Sequence, residues 1–128
     1  MILLDTCTLL WLAADQSRLT RNGKTLLRAN ADALWISAIS AFELAVKHSK
    51  GKLSLPLPPC EWYSQALAFH GVKEIPVTGE IAATSVALPE RHSDPCDRII
   101  IATAQEQGMI ILTPDHLIAQ YEEARTAW

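Results

Sequence analysis

The sequence lacks paired cysteines, long apolar runs and any excess of positive charge. Its three cysteines, Cys7, Cys60 and Cys96, are odd in number and far apart, with no Cys-x-x-Cys pair among them. Such a set builds neither a disulfide framework nor a zinc site, and it suits a reducing cytoplasm. No apolar run approaches the roughly 20 residues that a membrane span needs. The apolar start Met1-Ile2-Leu3-Leu4 meets Asp5 at once and does not read as a secretory signal. A cytoplasmic protein without a membrane partner is expected. The four histidines, His48, His70, His92 and His116, show no metal-ligand spacing and read as loop or surface residues. A formal net charge of −3 argues against gripping nucleic acid by a bulk positive field. Two divalent cations held by carboxylates would turn that sum to +1 and reverse the local field, so the charge weakens a nucleic-acid partner without excluding it. Repeats and low-complexity tracts are absent too.

What is present describes one globular domain spanning residues 1–128. Hydrophobic residues make up 49% of the chain and charged residues 20%, which excludes a disordered protein. For so short a chain the apolar share is high, leaving apolar surface for a second copy or a dedicated protein partner to cover.

Short apolar runs alternate with helical patterns. Met1 to Leu4 reads as a buried strand, followed by helices at Thr8 to Ala14 and Arg18 to Asn30. Leu34 to Ser37 is a second buried strand, and Ala41 to Ser49 an amphipathic helix. Three prolines make Gly51 to Pro59 a loop. A helix at Glu61 to His70, a strand near Val72 to Val77 and a helix at Glu80 to Leu88 precede a second loop, Pro89 to Asp94. Pro95 to Gln107 is helical and closed by Gly108. Met109 to Thr113 is the clearest strand, and a short helix begins after Asp115. Continuous apolar strands between helices predict an α/β fold with a mainly parallel sheet covered on both faces. Strand order does not follow from the pattern.

The acidic residues fall at telling places. Asp5 ends the first strand, Asp115 lies just past the last, Glu43 stands early in the helix after the second strand, and Asp94 and Asp97 bracket the start of the Pro95 helix. In a parallel sheet, strand C-termini and helix N-termini share one edge, where ligands bind. Each acid also has a plain structural role open to it. Ser40-Ala41-Phe42-Glu43 matches a capping box. Asp94 before Pro95 matches an N-cap, as does Asp115 before its short helix. A cap contributes about 1 kcal/mol, whereas two carboxylates about 4 Å apart repel by roughly 4 kcal/mol at an effective dielectric of about 20. Converging acids therefore need a cation, and carboxylate oxygens are the ligands Mg²⁺ and Mn²⁺ prefer.

Four segments, ILLDTCTLLW, ISAISAFELAVKHSKGKLSLP, SDPCDRIIIATAQEQG and MIILTPD, together resemble a PIN domain, and most closely the ribonuclease toxins of bacterial VapBC toxin–antitoxin pairs. The likeness covers nearly the whole chain in order and ends on an aromatic residue, Trp128. It implies a three-layer α/β/α fold and an acidic quartet that falls on Asp5, Glu43, Asp97 and Asp115. Asp94 matches an additional acid in the DPxDR form of the motif, and either Asp94 or Asp97 could be the closer metal ligand. Asp97 is preferred because it directly precedes the apolar residues Ile99-Ile100-Ile101. Thr113 matches a hydroxyl that supports the metal-site carboxylates.

The implied reaction is hydrolysis of an RNA phosphodiester by metal-activated water, with one or two Mg²⁺ or Mn²⁺ ions. Asp5 and Asp97 would hold the principal ion, and Glu43 and Asp115 would complete the site directly or through water. The resemblance also implies a homodimer and a cognate antitoxin covering the site. Arg98 and Lys47, and with less reason Lys50 and Lys52, could steer RNA, although Lys47 also makes an ordinary i,i+4 pair with Glu43. Trp11, Trp35, Trp62 and Phe42 read as core residues rather than base-stacking ones. Cys7 and Cys96 neighbour the acids without the histidine partner a thiol nucleophile needs. Two rivals remain: a PIN-like module that binds RNA or protein without turnover, and an aspartyl-phosphate phosphatase. The second wants an aspartate where Cys7 stands.

Overall fold

Strand β1 (Ile2–Leu4) forms the middle of a five-stranded sheet in the computed structural model, which describes residues 1–128. It pairs with β2 (Leu34–Ser37) on one side and β4 (Ile110–Leu112) on the other. β3 (Lys73–Ile75) lies outside β2, and β5 (Arg125–Ala127) outside β4, giving the order β3-β2-β1-β4-β5. Every neighbouring pair is parallel. Ile2 and Leu4 face one core and Leu3 the other, so alternate side chains of the central strand are all buried.

The helices divide between those two cores. α1 (Thr6–Ala14), α2 (Arg21–Ala29), α3 (Ile39–Ser49) and α4 (Pro59–His70) place Leu9, Leu12, Leu27, Leu44 and Trp62 against the Ile2–Leu4 face. α5 (Gly79–Ala87), α6 (Pro95–Gln107) and α7 (His116–Ala119) place Ile81, Ile100, Ile101 and Ile118 against the other. This is the expected three-layer α/β/α arrangement, and no helix is long and apolar enough to cross a membrane.

Local chemistry explains where the elements depart from the sequence pattern. α1 starts two residues early because the Asp5 carboxylate accepts the Thr6 N–H at 2.8 Å. The single helix expected at Arg18 to Asn30 is split into a 3₁₀ turn, Gln16–Arg18, and α2, since Thr20 is extended and caps the Gly23 N–H. α3 starts at Ile39, where the Ser37 hydroxyl takes the Ile39 N–H at 3.2 Å. β5 is an additional strand on the edge of the sheet. Gly108 closes α6 at φ 66°, a left-handed backbone that glycine adopts without strain.

Candidate metal centre

Strand order reverses beside β1. The chain steps outward through β2 and β3, then returns to β4 on β1's other flank. The crevice beyond the carboxyl ends of β1 and β4 is therefore the switch point of the sheet. Asp5 follows β1 directly, and Thr113 and Asp115 follow β4. Glu43 sits one turn into α3, while Asp94 and Asp97 stand at the start of α6. The donor atoms of Glu43, Asp94 and Asp97 lie within 4.8 Å of one another, as do those of His92, Asp97 and Asp115. Asp97 is common to both trios. Asp5 belongs to neither, but its charge is close enough to raise the pKa of Asp97.

Three of the five acids also serve as caps. Asp5 takes the Thr6 N–H, Asp94 the Cys96 N–H at 2.9 Å, and Asp115 the Leu117 N–H at 2.8 Å. Glu43 is not a cap, which corrects the capping-box expectation. The N-cap of α3 is Ala38, which offers no side-chain cap, the Ile39 N–H goes to the Ser37 hydroxyl, and Ser40 shares a 2.8 Å hydrogen bond with the Thr6 hydroxyl. Glu43 Oε2 lies 3.4 Å from Lys47 Nζ, while Glu43 Oε1 is buried with no hydrogen-bond partner. A buried oxygen without a donor is costly unless something positive meets it.

The electrostatics point the same way. Burial first, then the charges of Asp5, Asp94 and Glu43, push the Asp97 carboxyl up to about 7. Burial also raises Asp5, although donation from Thr113 Oγ1 at 2.7 Å and from the Thr6 N–H pulls it back. Burial alone would lower the Lys47 pKa, but Glu43, Asp97 and Asp5 raise it, so the negative field extends beyond Glu43. Cys96 is pushed up to about 11 and Cys7 is raised as well, in both cases first by burial and then by the acids. Neither thiol is an activated nucleophile. An orphaned carboxylate oxygen amid crowded acids fits a hard divalent cation such as Mg²⁺ or Mn²⁺.

Thr113 bridges two of the acids, since its hydroxyl donates to Asp5 and accepts the Asp115 N–H at 3.0 Å. Arg98 corrects its expected place among the RNA-steering residues. It is buried, and its guanidinium donates to the carbonyls of Val86, Leu88, Pro89 and His92 and to the Tyr121 hydroxyl. Five donors on a planar fork suit this clasp of the loop between α5 and α6, and they leave the residue no face for a phosphate. Phe42 is 59% exposed rather than part of the core, whereas Trp62 is buried and Trp11 and Trp35 pack at the core margins. With Lys47, Lys50 and Lys52, Phe42 lines an open cleft of about 560 Å³ that reaches Glu43 and Asp94.

Sequence reasoning missed His92. It lies in the loop, as read, but its ring reaches Asp97 Oδ2 at 2.6 Å and Asp115 Oδ2 at 3.9 Å. The available signal was position: the loop feeds the start of α6 at the edge where the acids gather.

Sheet order and the acids at its switch point define a class of α/β protein that collects carboxylates from distant segments at one edge. A family model described as PIN domain matches residues 2–124, and the chain belongs to the PIN-domain family. It is 37% identical over 130 residues to ribonuclease VapC22 of Mycobacterium tuberculosis, covering 99% of this chain and 98% of that protein. Among solved structures, a toxin–antitoxin complex from Klebsiella pneumoniae aligns with a TM-score of 0.67 at 25% identity, covering 100% of this chain and 97% of the other. A DNA-bound VapBC from Salmonella typhimurium aligns with a TM-score of 0.71 at 16% identity, over 98% and 96% of the two chains.

Proposed function

We propose that this chain is an endoribonuclease, the toxin of a toxin–antitoxin pair, that hydrolyses RNA phosphodiester bonds with Mg²⁺ or Mn²⁺ held by Asp5, Glu43, Asp97 and Asp115. The observation that carries this is the buried, unpartnered Glu43 Oε1 beside an Asp97 carboxyl pushed up to about 7 by burial and its neighbours. The full-length likeness to a protein named as a ribonuclease supports the reaction class. When bound, the cation supplies positive charge to the scissile phosphate and makes water a better nucleophile. The chain's own residues do the rest. Thr113 and the Thr6 N–H fix both oxygens of Asp5, and the Arg98 clasp sets the loop that leads into Asp94 and Asp97. Asp94 adds negative charge while capping α6. Lys47, Lys50 and Lys52 offer the cleft three positive charges for the RNA backbone.

An antitoxin partner and a homodimer complete the proposal. The strongly exposed Phe69 and Val86, with Phe42, leave apolar surface for such contacts. Purified protein incubated with cellular RNA should make discrete, end-mapped cuts with Mg²⁺ or Mn²⁺. The cuts should vanish with EDTA, in Asp97→Asn, and on adding the adjacent gene's product. RNA bound but left whole under all conditions would instead mark a binding module.

A further inference from the structure

We propose that Phe42 is a base-stacking platform beside the cleavage site, so that the chain takes RNA as a single strand with an unpaired base laid on the Phe42 ring. This rests on the ribonuclease reading above and adds to it a residue that selects the form of the substrate. Phe42 is 59% exposed and belongs to neither hydrophobic core. It directly precedes Glu43 on α3, and Val46, four residues on, shares its face of the helix. Both line the open cleft of about 560 Å³, which Asp94 and Pro95 line from the start of α6.

A single exposed phenylalanine needs no explanation by itself. The surroundings set this one apart. Phe69 and Val86 are more exposed still, but neither lines this cleft. Around Phe42 the cleft holds the ammonium groups of Lys47, Lys50 and Lys52 as well as the carboxylates of Glu43 and Asp94. The cores of protein interfaces are depleted of such charges, whereas a strand of phosphates and flat bases matches them. Lys47 is engaged by Glu43 at 3.4 Å, and Lys50 and Lys52 serve the phosphates. Lys50 comes seven residues after Glu43, about 10 Å along the helix axis. Stacked bases rise about 3.4 Å each along a strand. One phosphate at the acids and another at Lys50 therefore leave room for at least one nucleotide beside Phe42 and Val46. Stacking uses the face of a base whatever its identity. In a duplex both faces are already covered, so only an unpaired base can use the ring.

Fluorescence anisotropy of the full chain with labelled RNA in Ca²⁺, and kcat/KM for cleavage of the same RNA in Mn²⁺, test this together. The probes are a mixed-sequence single strand and a duplex of equal length. The wild type should favour the single strand. Phe42→Ala should weaken single-strand binding and kcat/KM about tenfold or more, the scale of one stacked base, and leave the duplex unchanged. Phe42→Trp should restore both, and Phe42→Leu, apolar but without a π-face, should not. The contrast between Trp and Leu carries the test should Phe42→Ala fold poorly. A duplex bound as tightly as the single strand, an unchanged Phe42→Ala, or full rescue by Phe42→Leu overturns the platform and leaves the ribonuclease proposal intact. A Phe42→Ala protein that handles RNA as before but escapes inhibition by the adjacent gene's product makes Phe42 a protein contact instead. Neither binding nor Mn²⁺-dependent cleavage of either probe overturns both proposals.

Discussion

The two helices that carry the inner acids begin in opposite ways. α6 has a complete start: Asp94 caps it, Pro95 takes the position that needs no N–H, and Asp97, in the first turn, has no capping duty. α3 follows Ala38, which has no capping side chain, and Glu43 reaches back to no backbone N–H, its one contact within the helix being the ion pair with Lys47. Yet both starts deliver one carboxylate to the same crevice. At α6 a neighbour satisfies the backbone so that Asp97 need not. At α3 the Ser37 hydroxyl takes the Ile39 N–H, and the nearby hydroxyl of Ser40 is committed to Thr6. An acid can be spent on a cap or kept for chemistry, and the two helices keep theirs by different means.

The largest expected effect comes from removing the kept acid of α6. Asp97→Asn should lower metal-dependent RNA cleavage by orders of magnitude and yet raise the melting temperature of the metal-free protein. The sign follows from proton linkage. Burial and neighbouring acids raise the Asp97 carboxyl from 3.8 to about 7, so the folded state binds its proton more tightly than the unfolded state does. Its opposition to folding therefore grows as pH rises through that window. The gain in Asp97→Asn should be full above neutrality and absent below pH 3.8. Melting curves across pH check it, and a variant less stable at every pH would mean that Asp97 works as a structural hydrogen-bond partner of His92.

Next in size is the clasp that holds the entry to α6. Arg98→Met leaves the carbonyls of Val86, Leu88 and His92 without their donor, while Pro89 O and the Tyr121 hydroxyl keep others. It should cost at least about 3 kcal/mol in denaturant unfolding, and a loss under about 1 kcal/mol would return Arg98 to the surface role its sequence position suggested. Asp94→Ala should cost about 1 kcal/mol for the lost cap, partly offset by relief of like charge, while activity falls less than in Asp97→Asn. Were the order of those two activities reversed, Asp94 would be the metal acid and Asp97 the support. Glu43→Gln should have the smallest effect on folding, a slight gain in the metal-free protein, because no hydrogen bond of Oε1 is lost. Its cleavage should nonetheless drop sharply. A clear loss of stability would restore Glu43 to the capping role.

Much of the fold was legible because its central strands are buried on both faces. β1, β2 and β4 carry continuous apolar runs, and Asp94-Pro95 and Gly108 mark the ends of α6. β5 was illegible since Arg125-Thr126-Ala127, half-exposed on the sheet edge, has no apolar run to betray it. Strand order is a property of long-range pairing, which no local pattern holds. In the site, the acids were legible as types at expected positions, but their duties were not. Ser40 to Glu43 has the letters of a capping box, and the helix starts earlier than that box requires because Ser37 takes the Ile39 N–H. Arg98 beside Asp97 suggested a phosphate contact, but one turn of α6 carries its guanidinium into the loop carbonyls instead. His92 has no partner at ligand spacing in sequence; only folding brings it to Asp97 and Asp115.

The most direct test of the central claim, that these acids are held apart from their caps for a cation, is the melting temperature above neutrality with and without Mn²⁺ in wild type and Asp97→Asn. A ligand that binds only the folded state stabilises it by mass action, about 2.7 kcal/mol at a hundred times its dissociation constant. The wild type should melt several degrees higher with Mn²⁺ and Asp97→Asn should scarcely respond. Equal melting temperatures with and without the ion in both proteins would contradict the claim and leave the carboxylates as caps that happen to share an edge.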